Sequence, residues 1–217
     1  DADFPTSDLQ ALGWHAVYSG QRTYNGVAIL SREPATAVVA GIPGFDDEQR
    51  RVLAASLGSL RVIDVYVPNG QTVGSDKFAY KLRWFDALRE YVAAELTRHP
   101  HLVVLGDFNV APEDRDVHDP KAWEGSVHVS PPERAALQAL LGTGLADCFR
   151  LFEQPEKSYS WWDYRMMAFR RNAGLRIDLI LASTALAQKC GACHIDKAPR
   201  QLERPSDHTP VVASFDI

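Results

Sequence analysis

The chain has 217 residues, 46% hydrophobic and 24% charged, with a formal net charge of −5 at pH 7. That balance fits one sizeable globular domain burying roughly 70–75% of its unfolded surface, and it excludes a disordered tail or a small stapled scaffold. No apolar run reaches membrane-span length, and the acidic sum excludes a uniformly basic nucleic-acid binder while leaving room for basic residues gathered on one face.

The start, Asp1-Ala-Asp-Phe-Pro5, is neither basic nor apolar and does not read as a leader; no strand precedes it, so the chain opens as if in the middle of a domain. Short β-branched runs bounded by turn residues then predict strands over Gly26–Leu30, Thr36–Ala40 and Leu60–Val67. Residues Lys77–Arg98 predict a helix, with Phe78, Leu82, Phe85, Tyr91 or Val92, and Leu96 on one stripe. A buried strand follows at Leu102–Leu105. Ser130-Pro-Pro-Glu133 predicts a capped helix start and Gly142 and Gly144 its end, with further strands at Ile177–Leu181 and Val211–Phe215. Strands mixed with a few helices point to α/β sheets layered against one another.

Basic residues gather at Lys157, Arg165, Arg170, Arg171 and Arg176 and again at Arg200 and Arg204; alone they read as solvated loops. The three cysteines, Cys148, Cys190 and Cys193, do not describe a disulfide framework, which favours a reducing cytoplasm. Cys190-Gly-Ala-Cys193-His194 matches a haem-attachment string, but with no other haem feature it reads as a strand-edge segment.

Chemistry gathers where strands end. Gly106-Asp107-Phe-Asn109 presents a carboxylate and an amide on one side of an extended segment, the oxygen donors a hard cation wants. Asp178 intrudes into an apolar strand and needs a partner; His208, from Pro205-Ser-Asp207-His208, can supply one, and an arginine is the alternative. Tyr66-Val-Pro-Asn69 closes another strand with a phenol and an amide. Each motif alone suits a turn or a core edge. Together they make the set a phosphodiesterase requires: a metal for the phosphate, a base for water and donors for developing charge.

These strings, with Asn25–Leu30, Leu145–Arg150, Ser160-Trp-Trp-Asp-Tyr-Arg165 and Gly174-Leu-Arg-Ile-Asp-Leu179, resemble exonuclease III and the apurinic/apyrimidinic (AP) endonucleases from Asp1 to the end of the chain. The resemblance implies a four-layered α/β sandwich of two mixed β-sheets packed face to face with flanking helices. It implies a monomeric, Mg2+-dependent enzyme (Mn2+ able to substitute) acting on double-stranded DNA with abasic sites or 3′ ends. By position it makes Asp107 the water-activating base and a metal ligand, Asn109 its helper, His208 the phosphate donor oriented by Asp178, and Asp207 a metal ligand. Tyr66 and Asn69 would contact the phosphate, Trp161, Leu175 and Ile177 would wall a pocket for a base-less sugar, and Arg165 would meet DNA. In the family an asparagine and a metal-binding glutamate lie upstream of the part matching Asp1–Pro5. Residues 1–217 are therefore expected to be one domain lacking its N-terminal portion, with poor metal affinity and rate as they stand. Alternatives are a catalytically silent DNA-binding fragment and a superfamily relative acting on lipid or inositol phosphates.

Overall fold

The computed structural model describes residues 3–217; Asp1 and Ala2, where the sequence reading starts, lie outside the described residues. A helix α1 (Thr6–Ala11) leads into a ribbon of β1 (His15–Gly20) and β2 (Gly26–Ser31). Next come β3 (Thr36–Ala40), β4 (Val52–Leu57), β5 (Leu60–Tyr66), the long helix α2 (Asp76–Leu96) and β6 (Leu102–Asp107). Short α3 (Pro120–Trp123), α4 (Pro131–Leu141), β7 (Leu145–Asp147), β8 (Asp178–Ser183) and α5 (Thr184–Ala187) follow, and β9 (Cys190–Ile195) pairs with β10 (Val211–Phe215) in a second ribbon.

The central sheet is six-stranded and mixed, in the order β3-β4-β5-β6-β8-β7. Only β5 and β6 run parallel. Such a pair needs a crossover, and α2 supplies it. One sheet face, with Val52, Ala54, Ile63, Val65, Val104 and Leu181, packs on Trp84, Phe85 and Leu88 of α2 and on Leu137 and Leu140 of α4. The other, with Leu53, Ala55, Val62, Val103, Ile180 and Ala182, packs under Val27 and Ile29 of the first ribbon and Cys193 of the second. The α/β sandwich is thus helices on a mixed sheet on strands, its second β layer delivered as two antiparallel ribbons rather than as one mixed sheet. Burying each large apolar side chain contributes roughly 1.5–3 kcal/mol.

Ser75 caps α2 by accepting from Phe78 N at 3.2 Å, and Ser130 and Glu133 form the expected capping box of α4. The buried stripe of α2 departs from the sequence reading. It takes in Lys81, Trp84, Leu88 and Glu95 as well, with Leu82 and Leu96 only half-buried and Leu96 packed at the core's edge; Lys81 and Glu95 can be buried because they find counter-charges in Glu133 and Arg61. Cys190–Ile195 is a strand, in keeping with the strand-edge reading of that segment. Among the described residues no helix is long and apolar enough to cross a membrane.

Candidate active site

Register assembles the site. Tyr66 is paired with Asp107 across the parallel β5–β6 ladder, and Asp107 with Asp178 across the antiparallel β6–β8 ladder. Directly paired residues share a sheet face, so three strand ends present a phenol and two carboxylates in one row. The row opens into a cavity of about 530 Å³ also lined by Asp64, Asp207 and His208. Gly106 permits the tight approach of β5 and β6: at φ +134° an added Cβ would stand 2.0 Å from Val65 O.

His208 closes the row. Its Nδ1 lies 2.9 and 3.0 Å from the two oxygens of Asp178. Of the two partners open to Asp178, the histidine is the one it has. Burial opposes a charged ring, but the hydrogen bond to Asp178 and the carboxylates of Asp178, Asp107 and Asp207 outweigh it and push the ring up to about 9. His208 is therefore protonated at neutral pH. Asp107 is pushed up to about 7, first by burial and then by the negative charge of Asp178, against the pull of His208.

Behind the row, Asn109 holds Asp107 twice, through its backbone N–H to Oδ1 at 2.8 Å and its Nδ2 to Oδ2 at 2.9 Å. To do so its backbone adopts φ +50°, a left-handed conformation that costs an L-residue about 1–2 kcal/mol. Asn69 Nδ2 lies 3.4 Å from Asn109 Oδ1. Tyr66 lies under the Arg51 guanidinium, 4.6 Å from its ring centre.

Two buried residues beside these asparagines escaped the sequence reading. Lys81 Nζ donates to Asn69 O (3.1 Å), Asn109 O (2.8 Å) and Glu133 Oε1 (2.5 Å). His128 places Nδ1 2.6 Å from Asn109 O and Nε2 3.4 Å from Asn69 Nδ2. With Nδ1 the donor, Nε2 accepts from the amide, which fits a neutral ring. Burial, then the Lys81 charge, lowers its pKa to about 4. A lysine at the spacing of Phe78, Phe85 and Leu88 was the available signal.

The remaining predicted residues lie to one side. Asp207 lines the cavity, but its Oδ2 accepts from Trp161 Nε1 at 3.0 Å. Trp161 forms backbone bridges to both His208 and Leu175, placing it between the acidic row and a separate opening of about 380 Å³ lined by His118, Trp123, Arg165 and Met166. Leu175 and Ile177 are buried behind it in a cluster with Val117 and Val129 and do not face that opening. Gly174 allows this packing, since a Cβ there would meet Trp161 O at 2.6 Å. Arg165 is exposed and held by Asp163 at 2.6 Å, away from the carboxylates.

Among the described residues, Asp107, Asp178 and His208 bring one ligand atom each within 4.8 Å of one another, close enough to hold a metal ion. The chemistry fits a divalent cation. With Nδ1 committed to Asp178 and the ring charged, the donors are carboxylate oxygens, which suit a hard ion. A carboxyl raised to about 7 by burial, and further by the charge of Asp178, is one that a cation would help to ionise.

Comparison with known proteins agrees with this geometry. The chain is 36% identical to Exodeoxyribonuclease III of Haemophilus influenzae, covering 99% of this chain and 85% of that protein. Its fold superposes with a TM-score of 0.98 on the Neisseria 3′ phosphatase NExo bound to a product DNA hairpin, at 50% identity, covering all of this chain and 85% of that one. An AP endonuclease from Archaeoglobus fulgidus gives a TM-score of 0.95 at 38% identity with the same coverage. Residues 1–208 match the Endonuclease/Exonuclease/phosphatase family, and the chain belongs to it.

Proposed function

We propose that residues 1–217 form one domain that acts as a divalent-metal-dependent DNA-repair nuclease, hydrolysing phosphodiester bonds of double-stranded DNA. The observation that carries this reading is the row Tyr66–Asp107–Asp178 across three strand ends, with His208 held on Asp178. The relatives support three activities on such a site: 3′-to-5′ exonuclease, abasic-site endonuclease and cleaning of blocked 3′ ends.

In this reading Asp107 orients the attacking water and takes its proton as the new P–O bond forms and the ester P–O bond breaks, with Asn109 holding both carboxylate oxygens in place. His208, kept charged by Asp178, donates from Nε2 to a non-bridging phosphate oxygen. Tyr66 and Asn69 contact the phosphate. Trp161, backed by Leu175 and Ile177, walls the space for a sugar without its base, and Arg165 meets the DNA backbone beyond it. Asp107, Asp178 and Asp207 would hold the ion, Mg2+ with Mn2+ as a substitute. Bound there, it supplies charge neutralisation of the phosphate. The protein works as a monomer, and three free thiols fit a reducing cytoplasm.

The test is cleavage of duplex DNA carrying an abasic site or a 3′-phosphate, with Mg2+ and with EDTA. Asp107→Asn should bind such DNA yet lose about 10²–10⁴-fold in kcat. Near-normal turnover of that variant removes Asp107 from the chemistry, and cleavage of a phospholipid instead of DNA selects a different substrate class.

A further inference from the structure

Lys81 lies in the second turn of α2, outside the strand-end motifs that carry the chemistry, yet it reaches the loops after both β5 and β6. We infer that Lys81 is a positioning residue of the active site: from beneath, it fastens the backbone of Asn69 and Asn109 and so fixes the amide that holds Asp107. The inference rests on the nuclease reading above and extends it to a residue that touches neither substrate nor metal.

The geometry separates this role from simple charge neutralisation. The Lys81 side chain is fully buried, as is that of its partner Glu133. A counter-ion for Glu133 needs one bond, whereas Lys81 spends its other two protons on the carbonyls of Asn69 and Asn109. Glu133 is otherwise well supplied. His128 N donates to its Oε1 at 3.0 Å, and the backbone N–H and hydroxyl of Ser130 donate to its Oε2 at 3.2 and 2.5 Å. It caps α4 whether or not Lys81 is charged.

The loop that Lys81 holds is one that would otherwise relax. Asn109 is left-handed, and its carbonyl is gripped from two sides, by Lys81 and by His128. The same residue's N–H and side-chain amide take both oxygens of Asp107. Freed of the Lys81 and His128 donors, Asn109 could leave its left-handed conformation, which would shift its N–H and its side-chain amide relative to Asp107, and the carboxylate then loses its aim. A compact ammonium with three donors suits two converging carbonyls and one carboxylate, which a methionine of similar length cannot serve.

The experiment measures kcat, KM and the thermal midpoint for the full chain, Glu133→Gln, and the double variant Lys81→Met/Glu133→Gln, on a 3′-phosphate duplex with Mg2+. Glu133→Gln removes the ion pair but leaves nitrogen-bound protons for both carbonyls and one amide oxygen that can still accept from Ser130 at the start of α4. The expected result is kcat within about threefold of the parent for Glu133→Gln, and a loss of at least about tenfold for the double variant with KM changed less than about threefold. Both buried charges are gone from the double variant, so a folded but slow enzyme supports positioning. A double variant within about threefold of the parent kcat overturns the role. So does a tenfold loss in Glu133→Gln, and that single variant decides the matter if the double one does not fold. A parent chain without metal-dependent cleavage overturns the nuclease reading itself and is thereby distinguished from failure of the Lys81 role.

Discussion

Two clusters of acid and base, one largely buried and one half-buried, stand side by side in this molecule, and they are built to opposite rules. In the first, Arg176 lies 2.6 Å from Asp116 and 2.8 Å from Asp147, and Arg150 also bonds Asp116. Two guanidiniums meet two carboxylates, so charge balances. Burial opposes the charge on Arg176, but its two carboxylates outweigh burial and hold its pKa above the usual range. In the second, Asp107, Asp178 and Asp207 share a cavity with a single cationic ring, His208. Negative charge is in excess, and Asp107 rises to about 7, through burial first and the charge of Asp178 second. Arg176 and Asp178 are two residues apart in the chain, so neighbouring positions serve the two ends. A balanced cluster holds the fold, and an unbalanced one leaves a place for a cation and a phosphate.

The contrast breaks most sharply on Arg176→Met. Removing that guanidinium strands two carboxylates without their main partner, and breaking a buried pair costs about 3–5 kcal/mol. For a chain of this size that lowers the thermal midpoint by roughly 6–20 °C, while kcat well below the midpoint changes little. A fall of under about 3 °C would place the cluster with weak surface pairs.

His208→Ala should do the reverse. Loss of a charged donor aimed at the cavity should lower kcat by at least about a hundredfold, with a smaller shift in melting than Arg176→Met because the ring is part-exposed. A loss of tenfold or less would make His208 a structural histidine and dissolve the distinction between the clusters.

Much of the second cluster was legible in the sequence, because its members interrupt apolar strands. Asp178 inside Ile177–Leu181 demanded a partner, and the Gly-Asp-Phe-Asn turn announced Asp107. Strands with β-branched runs were legible for the same reason. Strands β1, β4 and β7 were not. The core of β4 includes Ala54 and Ala55, which have little strand preference and are buried only because both sheet faces are covered. Lys81 and Glu133 were hidden differently. A lysine on a helix reads as a solvated charge, and Glu133 had a complete local explanation in the capping box; their pairing joins residues 52 apart in the chain. The depth of Leu175 and Ile177 behind Trp161 was equally beyond reach, since alternation gives a face but not what covers it.

The smallest expected effect sharpens the comparison from a third position, His128, which is buried and neutral between the two asparagines. Burial first, then the charges of Lys81 and His208, disfavour its charged form, and they outweigh the hydrogen bond to the Asn109 carbonyl and the carboxylate of Glu133, lowering its pKa to about 4. Because the unfolded ring takes up a proton near pH 6.5 and the folded ring resists until about 4, the unfolded state binds more protons within that window. The contribution of His128 is fully present above that window and is lost as pH falls through it. One pH unit below the ordinary value, near pH 5.5, the loss should be about 1 kcal/mol. Denaturant midpoints of the parent and of His128→Asn, an amide that tolerates the left-handed φ of +78°, should therefore converge on the acid side as the parent loses its advantage. Parallel curves from pH 7 to about 4 would mean that position 128 titrates like a solvated histidine, and that the neutral ring does not brace the asparagine pair.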